Sequence, residues 1–443
     1  MAEDDAAEPS LRIPAGDGTD VPLYLVSFDK QGRCTAPRTR SAVLAEAASG
    51  RFTDLHIYSH GWNNVFDEAV RHYTEFFQEY FGLRPGEGLG GRPYHPLLVG
   101  MIWPSTALLA PGEETPALAG AAEAPFPELA ALADELPPQE ASRLAALASR
   151  PGPLLGDEAL ALANLLAPLL ERHAGGDDDS GLPAGAAPAL LQRWGSDAPP
   201  GSAPTGAPGS LPIAGDAAPV GLEAGGILGF LNPREIVRKA TVFIMKDRAG
   251  LIGSTGVAEL VRDAVATNSV RVHLTGHSYG AKLVLSALAQ LPPPQRVSSV
   301  LLLQPAVSAR CFAQRIEAHG GRSGGYRHVL DRMAQPLFTT FSLHDRALTS
   351  FYPLALRRGR DQGEVAGVPG PFAALGAVGP QGMAQGEVVV TPILKRPSLY
   401  AQAAPGVRVY ALDGNVGITG HGDVRNGFTE WALVNLVRQG VAS

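Results

Sequence analysis

The stretch from Val272 to Leu288, VHLTGHSYGAKLVLSAL, passes from a strand-like segment into a helical one with no loop between them. Its first half is apolar and strand-like. Its second half carries Ala281, Val284, Leu285 and Leu288 at i, i+3, i+4 and i+7, the spacing of one helix face, and Pro292-Pro293-Pro294 stops that helix. A strand can turn directly into a helix only if the two backbones crowd together. Gly276, Gly280 and Ala281 leave room for that, and Ser278 stands at the apex between the two glycines. A second Gly-x-Ser-x-Gly string, Gly321 to Gly325, lacks this context. Ser323 follows the polar stretch RIEAHG with no strand before it, and reads as loop.

Further strand-like runs are LYLVSF (23–28), LHIYSH (55–60), PLLVGMIW (96–103), VSSVLLLQ (297–304), LFTTFSL (337–343) and VRVYAL (407–412). Several are near-continuous apolar runs, as expected of strands covered on both faces. Helical patterns alternate with them. One starts at Asn232-Pro233-Arg234-Glu235, with Asn232 as N-cap and Gly250 near its end. The expected class is therefore α/β, a mostly parallel central sheet with helices on both faces. Two insertions interrupt the rhythm. Residues 106–231 hold leucine-bearing helical stretches around Leu129, Leu132 and Leu136 and around Leu162, Leu165, Leu166 and Leu169, with a kink expected at Pro168, then decay into a Gly/Pro/Asp-rich tract expected to be mobile. Residues 350–405 are rich in Gly, Pro and Ala, with a short strand expected at 388–393. Both leave from carboxyl ends of strands, so they are expected to roof whatever lies on that rim, the first as a helical lid. A single domain of 443 residues is expected.

Composition excludes several classes. A net charge of −7 leaves no basic footprint for nucleic acid, and two cysteines, Cys34 and Cys311, are too few for a disulfide framework or a cysteine-based zinc site. No apolar run reaches the roughly 18 residues of a membrane span, and the acidic amino terminus is unlike a signal peptide. The expectation is a cytoplasmic protein without cofactor or metal, with export by a signal-less route left open.

A serine hydroxyl is a weak nucleophile unless a histidine takes its proton and a carboxylate orients that histidine. Downstream of Ser278, LFTTFSL leads into His344-Asp345 and VRVYAL leads into GITGHGD with His421. Asp345 and His421 are the candidates, with Asp413 and Asp423 as rival acids and His344 as a rival base. His277 is adjacent in sequence but poorly placed to reach the serine oxygen. Backbone N–H groups aimed at an oxyanion would come from Tyr279, next to the serine, and from Trp62, in the Gly61-Trp62-Asn63-Asn64 turn after LHIYSH. His60 is expected to be structural.

Together SHGWNNVFDEA, IWPS, GHSYGA, HDRAL and the terminal histidine resemble the pattern of the α/β-hydrolase superfamily, and most of all a bacterial group with an HGYN-type loop, a WPS strand end and a D-x-A-L acid motif. The resemblance covers about residues 23–28, 55–105, 270–348 and 407–437. It implies Ser278 as nucleophile, Asp345 as acid and His421 as base. The long first insertion, and Arg271 and His273 in a strand expected to be apolar, depart from that pattern. The function it implies is hydrolysis of an ester or related acyl bond in a small-molecule or lipid-like substrate. Thioesterase, amidase and acyltransferase chemistry use the same residues, and the rival class is a binding protein that keeps the fold without turnover.

Other motifs carry less. His56 and His60 lie four apart on a strand, about 13 Å, too far to share a metal. Gly86-Glu87-Gly88-Leu89-Gly90-Gly91 follows a helical pattern rather than a strand, which argues against a dinucleotide site. Asp177, Asp178 and Asp179 read as a solvated loop.

Overall fold

The computed structural model describes residues 8–16, 18–62, 64–84, 92–105, 127–152, 154–173, 188, 191, 233–317, 320–352 and 373–440. The N-cap Asn232, the glycine-rich 86–91 string and the aspartates at 177–179 lie outside them.

Nine strands form one sheet: β1 (Leu11–Pro14), β2 (Asp20–Ser27), β3 (Asp54–Ser59), β4 (Pro96–Ile102), β5 (Arg271–His277), β6 (Ser299–Leu303), β7 (Leu337–Phe341), β8 (Val388–Pro392) and β9 (Val409–Asp413). Their order is β1-β2-β4-β3-β5-β6-β7-β9-β8, and every pairing is parallel except β1 with β2. The chain is thus of the α/β class with a mostly parallel central sheet. The strands read from sequence are all present, their ends displaced by no more than three residues. β1 went unread because it is a four-residue edge strand with only Ile13 buried, too short to show a period.

Alternate residues of each strand feed two cores, one on each face. Leu55, Ile57, Val272, Leu274, Val300 and Leu302 join one apolar cluster, while Tyr58, Leu98, Leu301, Leu303, Phe338 and Leu412 join the other. The second face is covered by α2 (Phe66–Leu83), rich in buried aromatics, and by the carboxyl-terminal helix Phe428–Gln439. The first is covered by α1 (Pro37–Ala48) and by a long helical rod.

That rod begins with the helix Pro233–Ile252 and does not end near Gly250 as the sequence suggested. It passes through a π-helical turn, Gly253–Val257, into the helix Ala258–Ala266. The turn lies where the rod meets its neighbours most closely. A Cβ on Gly253 would sit 2.3 Å from the Leu283 carbonyl oxygen, so tight packing against the helix that follows β5 shapes the local geometry.

Within the first insertion the described residues form α3 (Pro127–Ala133), α4 (Pro138–Ala148) and α5 (Gly156–Arg172), the last running through Pro168. In chain order the later helices are then α6 (Pro233–Ile252), α7 (Ala258–Ala266), α8 (Tyr279–Ala289) and α9 (Phe428–Gln439). α3, α4 and α5 pack on α6, and Leu129, Leu132, Leu144, Leu162, Leu166 and Leu169 are buried in the same core as the sheet. Polar contacts hold them there: Arg248 of α6 bonds Glu135 at 2.7 Å, His173 bonds Asp247 at 2.7 Å, and Lys30 reaches Asp134 at 2.8 Å. No helix among the described residues is long and apolar enough to cross a membrane.

Candidate active site

The direct step from β5 to α8 forces Ser278 into a backbone conformation that L-residues avoid, with φ 56° and ψ −123°. Such a conformation costs on the order of 1–3 kcal/mol and persists only where surrounding packing imposes it. Here the packing is explicit. A Cβ on Gly280 would lie 2.3 Å and 2.4 Å from the carbonyl oxygens of Ser59 and His60, and one on Gly61 would lie 2.7 Å from the Ser278 Cβ. The start of α8 and the turn after β3 therefore meet backbone to backbone. The Ser278 N–H donates to the Leu303 carbonyl of β6 at 3.0 Å, and the Ser278 carbonyl accepts from Ala306 N–H at 3.2 Å. The serine oxygen is left at the carboxyl-terminal rim of the sheet.

Two other loops on that rim bring partners to it. His421, after β9, has its Nε2 2.8 Å from Ser278 Oγ and its Nδ1 2.7 Å from Asp345 Oδ2, after β7. A carboxylate can only accept, so Nδ1 carries the proton and Nε2 accepts from the serine hydroxyl. Asp345 is fully buried, its Oδ1 accepting from Leu348 N–H at 3.0 Å and its Oδ2 also from Gln304 Nε2 at 3.1 Å. The three residues singled out from sequence are thus brought together.

The rivals are engaged elsewhere. Asp413 Oδ1 accepts from the backbone N–H and side-chain amide of Asn415 at 3.0 and 2.7 Å. Asp423 Oδ2 accepts from Thr419 N–H and hydroxyl at 2.8 and 2.7 Å. His344 is exposed, and Ser323 sits in an exposed loop ahead of a 3-10 turn. His277, fully buried, donates from Nε2 to the carbonyl oxygen of His421 at 2.9 Å. Burial first, and the neighbouring His421 second, hold its protonation well below the usual histidine range.

The turn after β3 is tied down from several sides. His60 stacks flat on Trp103, with ring centroids 5.4 Å apart, and donates from Nδ1 to the Gly61 carbonyl at 2.9 Å. Its burial pushes its pKa down to about 4, which fits a neutral structural ring. The Asn64 side-chain amide donates to the carbonyls of Gly61 and Trp62, both at 3.1 Å, while Ser105 Oγ accepts from Asn64 N–H and donates to Asn64 O. With those carbonyls fixed, the Gly61–Trp62 peptide planes are fixed too. Tyr279 occupies the first position of α8, at the positive end of the helix dipole, and its ring lies 6.3 Å from that of Trp62.

Sequence reasoning missed Gln304, Thr340, Asn64 and the use made of His277. A usable signal existed for the first: Gln304 is the polar residue that ends the apolar run of β6, on the same rim where β5 delivers Ser278. Cys34 and Cys311 are both free thiols, and no cluster of His, Cys, Asp and Glu suited to a metal occurs among the described residues.

No family model, no curated protein and no solved structure matches the chain.

Proposed function

We propose that the protein is a serine hydrolase of the α/β-hydrolase type that cleaves an ester or related acyl bond, with Ser278 as nucleophile, His421 as general base and Asp345 as the orienting carboxylate. The observation that carries this reading is the single imidazole of His421 lying between Ser278 Oγ at 2.8 Å and Asp345 Oδ2 at 2.7 Å. An ordinary buried serine has no use for such a relay, nor for a conformation with φ 56°.

In the proposed reaction, His421 Nε2 takes the hydroxyl proton as Ser278 Oγ attacks the acyl carbonyl. The carbonyl oxygen becomes an oxyanion beside the backbone N–H groups of Trp62 and Tyr279, the two donors offered by the β3 turn and the α8 start. His421 then passes its proton to the departing alkoxide, leaving an acyl-serine. Water enters, gives a proton to His421, and attacks the acyl carbon. The carboxylic acid product leaves and the serine recovers its proton. Asp345 remains ionised and holds the imidazolium throughout. The substrate proposed is a small-molecule or lipid-like acyl ester, with no cofactor.

A fluorophosphonate probe tests this directly, since it phosphonylates an activated serine. Wild type is expected to label and to cleave nitrophenyl esters, and Ser278→Ala is expected to do neither. Wild type that neither labels nor cleaves short-chain or long-chain esters defeats the reading, and equal labelling of Ser278→Ala defeats the choice of nucleophile.

A further inference from the structure

Gln304 closes β6 with φ 42°, one of three non-glycine residues with positive φ among the described residues, and it is completely buried. Its side chain is fully used. Thr340 Oγ1, on the neighbouring β7, accepts the Gln304 backbone N–H at 2.9 Å, so its hydroxyl proton is directed elsewhere and is donated to Gln304 Oε1 at 2.9 Å. At the other end of the amide stand Asp345 Oδ2 and the Gly376 carbonyl, which can only accept, so that end is the nitrogen and the end facing Thr340 the oxygen. The two Nε2 protons then go to Asp345 Oδ2 at 3.1 Å and to the Gly376 carbonyl at 3.2 Å. Gly376 can come this close only without a side chain, because a Cβ there would lie 2.5 Å from the Gln304 carbonyl carbon. Its carbonyl also accepts from Ser342 N–H at 3.0 Å, at the base of the turn that carries Asp345.

The strained backbone thus aims an amide whose rotation is blocked at both ends. Its target is the same Asp345 oxygen that receives the His421 Nδ1 proton. We infer that Gln304, oriented by Thr340, is the positioning residue for Asp345: it fixes which carboxylate oxygen faces His421 and at what angle, and thereby holds the imidazole in line with Ser278. The role in turnover rests on the hydrolase reading above, while the holding of Asp345 and His421 does not. Without the amide donor, among the described residues Asp345 keeps only the Leu348 N–H and the imidazole itself to set its rotation.

Three variants separate positioning from mere packing. Gln304→Glu keeps the shape but replaces the donor with an acceptor facing a carboxylate. Gln304→Met removes the polar group. Thr340→Val releases the amide, with Thr340→Ser as the conservative control that retains the hydroxyl. On a nitrophenyl ester, kcat is expected to fall about 10- to 100-fold in both Gln304 variants and less in Thr340→Val, with KM changed less than about twofold. Thr340→Ser is expected to stay close to wild type. The second readout needs no activity: the low-field proton NMR signal of His421 Nδ1–H, assigned by its absence in His421→Gln. It is expected to persist in wild type and in Ser278→Ala, and to broaden or move upfield in Gln304→Met. Unchanged kcat and an unchanged signal in Gln304→Met overturn the proposal. So does a loss that appears equally in KM, or one that Thr340→Ser shares with Thr340→Val. If wild type is inert toward every ester but its signal is lost in Gln304→Met, the hydrolase reading fails and the holding of Asp345 stands.

Discussion

His277 Nε2 donates to the backbone carbonyl of His421 across 2.9 Å, so the residue before the strained serine holds the main chain of the histidine that faces that serine. The rings lie 5.1 Å apart and tilted by 40°. A carbonyl can only accept, hence the His277 proton is on Nε2, and burial keeps the ring neutral. His421 lies between Gly420 and Gly422, so its loop gains little rigidity from its own sequence. Replacing His277 with Leu is expected to lower kcat about 10- to 100-fold with KM little changed. Gln, whose amide can offer a donor in the same direction, should recover much of the loss. Steady-state kinetics on one ester decide it, and a Leu variant within twofold of wild type would show that the contact is dispensable.

The three carboxylates near the rim make a second test. Asp345 is buried and bonded to His421, whereas Asp413 and Asp423 are satisfied by Asn415 and Thr419. Asp345→Asn keeps the shape but removes the charge that stabilises the imidazolium, and can present an N–H toward Nδ1, favouring the wrong tautomer. A fall in kcat of about 10⁴-fold is expected. Asp413→Asn and Asp423→Asn are expected to retain activity within a few fold. Because residues that act as one unit are non-additive, Asp345→Asn in a Ser278→Ala background should cost almost nothing more. Activity that survives in Asp345→Asn but not in Asp413→Asn or Asp423→Asn would reassign the acid.

Much of this was legible in the sequence because the parallel strands are apolar on both faces and the rim residues follow them in chain order. Arg271 and His273, which broke the apolar run of β5, are explained at the opposite end of the strands. Arg271 makes a two-pronged contact with Asp54 at 2.8 and 2.7 Å, and His273 bridges Asp54 and Ser299 at 2.9 and 2.7 Å. Burial alone would raise the Asp54 pKa, but the bonds from His273 and Arg271 hold it far below the ordinary carboxylate range. Such pairings join residues 217 and 219 positions apart, which no local pattern reveals. The positive φ of Gln304 was hidden for a related reason: strain there follows from what β7 and Gly376 place around it. α4 was missed because its short apolar face merges with that of its neighbours in an alanine-rich stretch.

Backbone contact at the serine turn makes the glycines there unforgiving in different ways. Gly280→Ala would drive a methyl into two carbonyl oxygens of the β3 turn, which cannot move without breaking the sheet edge of the site. A loss of several kcal/mol in urea unfolding is expected, larger than the roughly 1–3 kcal/mol typical of overpacking by one methyl. Gly61→Ala meets the Ser278 Cβ at 2.7 Å and, less closely, His277 Nδ1 and the His277 carbonyl oxygen at 3.1 and 3.2 Å, wider approaches than the two at Gly280. It should fold with a smaller penalty yet lose activity by two orders of magnitude or about that, because the displaced atom is the serine itself. If Gly61→Ala were as active as wild type, the close approach of the two turns would have no bearing on turnover.

Titration of buried groups sets how stability depends on pH. His56, His60 and His277 are buried and resist protonation because burial penalises the charged ring; for His60 the pKa is pushed down to about 4. Below the unfolded value of 6.5 the unfolded chain binds protons that the folded chain does not, so these histidines make stability fall as the pH drops from 6.5 toward 4. His60 alone can account for about 3 kcal/mol of that by the end of the window. Glu430 has the opposite sign. Burial pushes its carboxyl from 4.5 up to about 7, so the folded state holds a proton that the unfolded state has released, and stability falls as the pH rises through that range. Below 6.5 these three histidines and the half-buried His72, whose pKa burial also pushes down to about 4, outweigh Glu430, which acts up to about 7. Maximum stability is therefore expected near neutral pH, with an acid-side decline beginning at about 6. Glu430→Gln removes the offsetting term and should make that decline steeper while raising stability above pH 7. Urea unfolding of both proteins from pH 8 to 4.5 measures the difference. A wild type whose stability is flat across 6.5 to 4.5, or a Glu430→Gln variant with the shallower acid-side slope, would contradict these protonation states.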